Sequence, residues 1–569
     1  RELTRLEFLS EGAEGDGPVY VFRHALTRDV ARASLAPARR QALHLAAGVA
    51  LEGLYADRVE EVEDRLAYHF SKAKQADKAV EYLTRLAAKA ARSYAHVEAV
   101  AALEDALAHV ERLPAPERDR RRLGVVLRAA QSLSFLGRFQ EGLERLLREE
   151  ARIERLDLPS LAGPYYLWLA YTESHLGRHD RAIASARRAL DEARRCRDEA
   201  TMGKAHVVVA QESYWAGEPL QGLAAGDRAV ERLERSGERW WLGLAHWIVG
   251  INHVILGAFD AALEAEARAL AIGESLGDPR LQSYATWSTG WVHALRGDAE
   301  AALEACRAAL GRAPDPVNTA VAQGHLGYVH LERGDRAAVP LLEAAVGEMR
   351  RFGFRRLEGR FATFLGEAYL LDGRLEKARD LVRHGLEVTA ETGYRYGLGW
   401  AQHALGRIAQ AAGAPAEAAA HLGDALRTFL GAQARFMTGR TQLTLAELSA
   451  ARGDRAEAAT RLREAHAVFR ALAVPRYVER AARLAATLGL ALPEAPPASY
   501  VAVVRPGEDA VFATLEARRA DLKVAEVVWD RRLGERRRQA RPVALERRRG
   551  QRRVPPPGPA AAAAFFLSP

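Results

Sequence analysis

The sequence predicts an all-α superhelix of stacked helical hairpins, and three observations carry that expectation. Gly137, Gly177, Gly217, Gly257, Gly297, Gly334, Gly373, Gly413 and Gly453 recur at spacings of 40, 40, 40, 40, 37, 39, 40 and 40 residues. Self-similarity at such a period marks a repeat architecture. Seven residues before these glycines stand Ala130, Ala170, Ala210, Gly250, Gly290, Gly327, Gly366, Gly406 and Ala446, every one of them small. Between the turns Ala, Leu, Arg and Glu dominate, all good helix formers.

The first element, residues 1–60, is not a repeat. "RLEFLSEGAEGDGPVYVF" reads as two short strands around a Gly/Asp turn. "RHALTRDVARASLAPARRQALHLAAGVALEGLY" then reads as two helices.

The solenoid follows over residues 61–492, with about ten hairpins of this period. Each periodic glycine is the turn, because its backbone takes the positive φ that ends one helix and starts the next. Ala182, Ala262, Ala302, Ala378, Ala418 and Ala458 lie five residues after a turn. Ala189, Ala229, Ala269, Ala309, Gly385, Ala425 and Ala465 lie twelve after. Small residues at these offsets let two antiparallel helices approach closely. Leu169, Val209, Val249, Leu326, Leu365, Leu405 and Leu445 fill the space between them. A degenerate register has Tyr94 at the turn, and the short repeat at Gly334, with Ala338 and Ala345 one place early, predicts a local distortion.

The register from Tyr165 to Leu190, "YYLWLAYTESHLGRHDRAIASARRAL", resembles the tetratricopeptide repeat. That family's usual period is 34 residues, so the longer period here predicts extra length in the second helix. In the front element Tyr20, Phe22, His24, Ala25, Leu26, Asp29, Val30, Arg39, Arg40 and His44 resemble the end of the winged-helix region of STAND-class signalling ATPases. Those are bacterial regulators with an ATPase ahead of a repeat arm, some cyclase-linked and some like the maltose regulator. The resemblance implies that this chain is the protein-binding, sensing arm of such a regulator, with an upstream ATPase or cyclase module as partner. The start at Arg1 fits a piece of a longer protein. The chain itself has no G-x-x-x-x-G-K-[ST] phosphate loop. No catalytic residue, cofactor or metal site is expected, and the chain is read as non-enzymatic. A stand-alone scaffold and a DNA-associated regulator are the alternative readings.

Residues 493–499, "LPEAPPAS" from its second position, read as a Pro-rich linker. Residues 500–554 read as a strand–helix–strand unit ending in arginine blocks, and 555–569 as a disordered tail. The segment from Asp530 to Arg553 carries a balance of +8, equal to the net charge of the whole chain, so the remaining residues sum to zero. Arg531, Arg532, Arg536, Arg537, Arg538, Arg547, Arg548 and Arg549 are the candidate contacts to phosphate, in nucleic acid or anionic lipid. Two cysteines, Cys196 and Cys306, and no apolar run near the ~18 residues of a membrane span point to the cytoplasm.

In the tetratricopeptide family the first helix of each repeat lines a concave groove. Mapped by register, the groove positions hold Tyr171, Tyr214, Trp215, Trp247, Trp287, Trp291 and Tyr328, then the more polar Thr363, Glu367, His403 and Arg407. The aromatic set is the candidate seat of a protein or peptide partner, since aromatic anchors concentrate at binding hot spots. The bland alternative is packing against the chain's own helices. His246, His253, His293 and His330 lack a carboxylate or thiol at zinc spacing and read as packing residues, as do Trp240 and Trp241.

Overall fold

The computed structural model describes residues 2–14, 17–492, 500–505, 507–522, 524–529 and 564–567. The linker 493–499 and the arginine blocks lie outside the described residues. The chain divides into two compact units, Arg1–Asp157 and Leu158–Pro569.

The first unit opens with a helical turn, α1 (Glu2–Arg5), and an antiparallel hairpin of β1 (Leu9–Glu14) and β2 (Gly17–Phe22), with Leu9 opposite Phe22. Helices α2 (Ala25–Ser34), α3 (Pro37–Leu54), α4 (Glu63–Lys72), α5 (Ala76–Arg92), α6 (His96–Val110), α7 (Ala115–Phe135), α8 (Phe139–Leu147) and α9 (Glu150–Leu156) follow. Leu66, Phe70, Tyr82 and Leu103 centre its core, where the Phe70 and Tyr82 rings stack at 5.6 Å. Two of its turns have no glycine. Lys74 and Tyr94 take φ of 56° and 58° themselves, a conformation that costs roughly 1–2 kcal/mol with a side chain present.

The second unit is a run of hairpins: α10 (Pro159–His175) with α11 (His179–Cys196), α12 (Glu199–Ala216) with α13 (Pro219–Ser236), α14 (Arg239–Leu256) with α15 (Phe259–Leu276), and α16 (Pro279–Arg296) with α17 (Ala299–Arg312). Then come α18 (Pro316–Arg333) with α19 (Ala338–Phe352), α20 (Arg355–Leu371) with α21 (Leu375–Glu391), α22 (Arg395–Ala411) with α23 (Pro415–Gly431), α24 (Arg435–Ala451) with α25 (Arg455–Ala471), and the closing α26 (Pro475–Leu488). The expected extra length is not confined to second helices: α12, α13, α14 and α15 are each 18 residues long. Gly237, Gly277, Gly353 and Gly393 also take positive φ and end second helices as the periodic glycines end first ones. The distortion before Gly334 is a shortened α17 of 14 residues, which ends at Ala313 in extended backbone.

The small positions act as the spacing requires. Ala182, Ala262, Ala302, Ala378, Ala418 and Ala458 are all 0% exposed. A Cβ at Gly366 would lie 2.2 Å from Val382 Cγ2, so nothing larger than hydrogen fits between α20 and α21. Facing Gly290, Gly366 and Gly406 across the hairpin stand Cys306, Val382 and Leu422, but facing Gly250 stands Glu266. Both Glu266 carboxyl oxygens are buried without a hydrogen-bond partner, and burial raises its pKa well above the ordinary value.

First helices of successive hairpins pack on one another as well as on their own partners, which puts them on the inside of the curve. The curve is tight enough that α12 meets α22 and α14 meets α24, about five hairpins per superhelical turn. The edges of successive turns also touch. A Cβ at Gly217 would sit 3.1 Å from Ala432 Cβ, and one at Gly297 would sit 2.9 Å from Arg476 Cβ. Gly373, Gly413 and Gly453, on the far edge, face nothing within 4 Å.

Beyond the helices, β3 (Tyr500–Val504), α27 (Asp509–Ala517), α28 (Arg519–Leu522) and β4 (Val524–Trp529) make a small α/β appendage, with β3 and β4 parallel. Ala502, Val504, Val511, Leu515, Leu522, Val524 and Val527 share one apolar cluster with Leu220, Leu223, Val249 and Leu256 of the hairpins. Arg518 pairs with Asp227, and Arg435 Nη1 donates to the Leu522 carbonyl at 3.0 Å. Within the low-complexity end, Ala564–Leu567 form β5, antiparallel to β3. Its sequence AFFL has strand-forming aromatics, and β3 otherwise offers a bare edge.

Two stability measurements follow from this packing. In urea titrations Gly413→Ala loses about 1 kcal/mol through its positive φ alone, and Gly297→Ala loses more because Arg476 must also move. Glu266→Leu raises stability at neutral pH by about 1–3 kcal/mol, the cost of an unsatisfied buried polar group. Since burial raises the folded carboxyl, the Glu266 contribution to native stability is fully present below the unfolded value near 4.5 and is lost as pH rises. Glu266→Leu flattens that decline; an unchanged slope would count against an unpaired Glu266.

Candidate functional site at the superhelix axis

The candidate site is built where inner helices of one superhelical turn meet those of the next. Its backbone is set by the hairpins just described; its chemistry comes from charged side chains buried on the inner helices. Glu212 of α12 is wholly buried and receives Arg356 of α20 through Nη1 at 2.8 Å and Nη2 at 3.0 Å. Arg356 Nη1 also donates to the Ser174 carbonyl of α10 at 3.1 Å. His179 at 2.7 Å and the Ser174 hydroxyl complete the shell of Glu212. Burial alone would raise the Glu212 carboxyl, but His179, Arg356 and Ser174 together hold it below its ordinary value.

A second pair repeats the device further along. Arg440 of α24 donates to Glu332 of α18 at 2.9 Å and lies 3.7 Å from Glu367 of α20. Arg476 and Tyr477 of α26 reach the same Glu332, the latter at 3.3 Å. Burying an ion costs several kcal/mol, recovered only where the partner geometry is good. Both pairs meet that condition, because each carboxylate collects donors from more than one helix.

The register-mapped aromatics all lie on inner helices, and each has contacts with other side chains of the chain. Tyr214 Oη lies 3.2 Å from Tyr394 Oη of α22. Trp215 meets the Tyr394 ring edge-on at 4.8 Å and carries the Arg356 guanidinium 5.2 Å over its face. Trp291 is 1% exposed and lies 4.1 Å beneath the Arg360 guanidinium. Tyr328 packs on Phe364 at 4.6 Å and on Trp400 at 5.6 Å. Tyr214 and Trp215 thus meet a hairpin five along, whereas Trp291 and Tyr328 pack against α20 and α22. Trp247 and Trp287 meet each other at 5.9 Å, between adjacent hairpins; Trp247 donates to Ser288 Oγ at 2.7 Å, and Trp287 stacks on His325 at 4.0 Å. Tyr171 stands apart from them, against Trp168 and Trp241 at 5.6 Å each. Of the polar positions, Thr363 is buried, Glu367 receives Arg407, and His403 Nε2 lies 3.2 Å from Thr444 Oγ1.

The remaining candidates are dispersed. His253 is buried with Nε2 accepting from Arg518 at 2.9 Å, and burial together with Arg518 lowers its pKa to about 3. His293 and His330 sit beside Asp298 and Asp335, and His246 is buried on α14. Trp241 is buried and Trp240 Nε1 bonds Asp278 at 3.0 Å. Cys196 is exposed and Cys306 buried, both free. The candidate anion contacts of the arginine blocks lie outside the described residues. Among the described residues no helix is long and apolar enough to cross a membrane.

The partners that the sequence reading missed are Glu212, Glu332, Arg356, Arg360, Tyr394, Tyr396 and Arg440. A signal existed for Glu212 and Arg440, each the single charge inside "VVVAQESYW" and "MTGRTQL", whereas Arg356 and Arg360 lie in the charge-rich "RRLEGRFATFL".

Residues 359–430 and 163–196 match family models described as tetratricopeptide repeat. Both stretches match as tetratricopeptide repeats, and the hairpins between and around them have a tetratricopeptide-like form. Solved structures similar to this chain include the Rap protein complexed with competence and sporulation factor, at 14% identity over 72% of this chain and 98% of that one, TM-score 0.37. The apo form of RapI matches at 14% identity over 47% and 98%, TM-score 0.38. The Cut9–Hcn1 hetero-tetramer of the APC/C matches at 14% identity over 79% and 99%, TM-score 0.33. No curated protein matches the chain.

The two sides of the central pair are testable together. Arg356→Met and Glu212→Gln each lower stability by roughly 3–5 kcal/mol, because each leaves a buried partner uncompensated. The double variant loses less than the two together. The depressed Glu212 carboxyl makes this contribution present above the ordinary value of 4.5 and lost as pH falls through the lower folded value. Thermal melts from pH 7 to pH 3 check this. Additive losses would show that the two groups do not act as a pair.

Proposed function

We propose that the chain is a non-enzymatic, protein-binding and sensing arm of a signalling protein, and that partners act on how tightly the superhelix is wound. The observation that carries the reading is the axis itself. Inner faces that would otherwise form an open concave surface are closed on each other by a few charged contacts, Arg356–Glu212 and Arg440–Glu332 foremost. A partner that takes over some of these inner-face contacts has differential affinity for the less tightly wound form. Differential affinity is what a ligand needs to shift a conformational equilibrium.

The finer reading, an arm belonging to a STAND-type ATPase or cyclase-linked regulator, draws support from the first unit. Its winged-helix-like start exposes Leu26, Val30, Val49 and Leu54 by 76%, 62%, 56% and 76%. So many exposed apolar side chains on neighbouring elements suit a face covered by another domain, and an ATPase module is the cover we favour.

Any protein captured with the full chain is then titrated against wild type and against Glu212→Gln and Glu332→Gln variants. Weakening the closed form should raise its affinity, roughly tenfold for each 1.4 kcal/mol shifted where the closed form dominates. Equal affinity for all three would discard the winding mechanism, and failure to retain any protein specifically would discard the protein-binding reading.

A further inference from the structure

One charge at the axis has no carboxylate counterpart among the described residues. Arg360 of α20 is 4% exposed. Its Nη1 donates to Tyr214 Oη at 3.3 Å, and its guanidinium lies over Trp291 and Phe364 at 4.1 and 5.5 Å. Nη2 is buried and has no hydrogen-bond partner. Among the described residues no carboxylate pairs with it, whereas Arg356, one helical turn away, and Arg440 each have one. Ring faces offset only part of the cost of desolvating a guanidinium. Two further donors nearby are unused: the indole N–H groups of Trp287 and Trp291 are both buried and unpartnered. His325, stacked on Trp287 and 5.4 Å from Phe361, joins these walls.

We propose that this seat binds a small free carboxylic acid with an aromatic or apolar body, its carboxylate on Arg360 and the indole N–H groups, its body among the rings. The donor set decides between anions. One positive charge and two neutral N–H groups match a monoanion, while a phosphate dianion asks for more charge than the seat supplies. The rings match an organic body in place of a hydrated ion. Because Tyr214, Trp291 and Arg360 come from hairpins that meet only when the superhelix is wound, an acid bound there would hold successive turns together. This inference goes beyond the protein-binding reading and does not depend on it.

Benzoate is the probe, titrated into the full chain and followed by tryptophan fluorescence and by melting temperature. Benzamide, inorganic phosphate, chloride and N-acetyl-phenylalanine, a mimic of a peptide C-terminus, are the comparison arms. Benzoate should quench tryptophan emission saturably and raise the melting temperature, and benzamide should do neither. Arg360→Met should weaken benzoate roughly 10- to 100-fold, the loss of a charged hydrogen bond, and should melt higher than wild type without ligand, since an unpaired buried charge is gone. If Arg360→Met does not fold, Arg360→Lys serves, keeping the charge with weaker binding. Equal responses to benzoate and benzamide, unchanged affinity in the Arg360 variants, or no response to benzoate would overturn the proposal. So would a response to phosphate or chloride that matches benzoate, and tighter binding of N-acetyl-phenylalanine would replace a free acid with a peptide end.

Discussion

The architecture depends on how closely two helices can approach within a hairpin. At Gly366 and Gly406 the facing side chain fills the space a Cβ would need, so the interhelix distance is fixed by absence of substituent. Most hairpins therefore share one shape, with α17 and α19 the shorter exceptions, and the small rotation from one to the next accumulates. Only under that condition does α22 arrive against α12 and does Arg356 of α20 fall in register for Glu212. A looser hairpin would misplace the pair by the sum of several small errors.

Charge then does what apolar packing cannot. Rings along the axis supply most of the contact area, but ring packing tolerates sliding. The bidentate Arg356–Glu212 pair does not, because planar donors and acceptors must be aligned. Its contribution to stability is modest compared with the burial around it, and it acts chiefly to select one winding among several that the rings would accept. Glu332, which gathers Arg440, Arg476 and Tyr477, fixes the same choice near the end of the helical run.

Much of the fold was legible because the informative residues are required by geometry. A left-handed turn selects glycine, and a close helix crossing selects Gly or Ala, so both leave periodic marks. The repeat register also put Tyr214, Trp291 and Tyr328 on first helices. Their surroundings were not legible. Whether inner faces five hairpins apart meet depends on an accumulated rotation that no local pattern encodes. Arg356, Arg360 and Glu212 consequently looked like ordinary charges on amphipathic helices. The even division of each repeat was readable from Gly237, Gly277, Gly353 and Gly393, which halve the longer period, but a search at forty residues passes over them. The strand Ala564–Leu567 was hidden by low-complexity neighbours, and its pairing depends on an edge supplied from residues 500–504.

The two rims of the second unit differ in what they can carry. At Gly177, Gly217, Gly257 and Gly297 the turns are pressed against a neighbouring coil, whereas at Gly373, Gly413 and Gly453 they face open space. The open rim is thus where this molecule accepts added length: an inserted loop, an epitope tag or a fluorescent label there disturbs only its own hairpin. The same insertion at the crowded rim would act as a wedge between coils and change the pitch of the whole spiral.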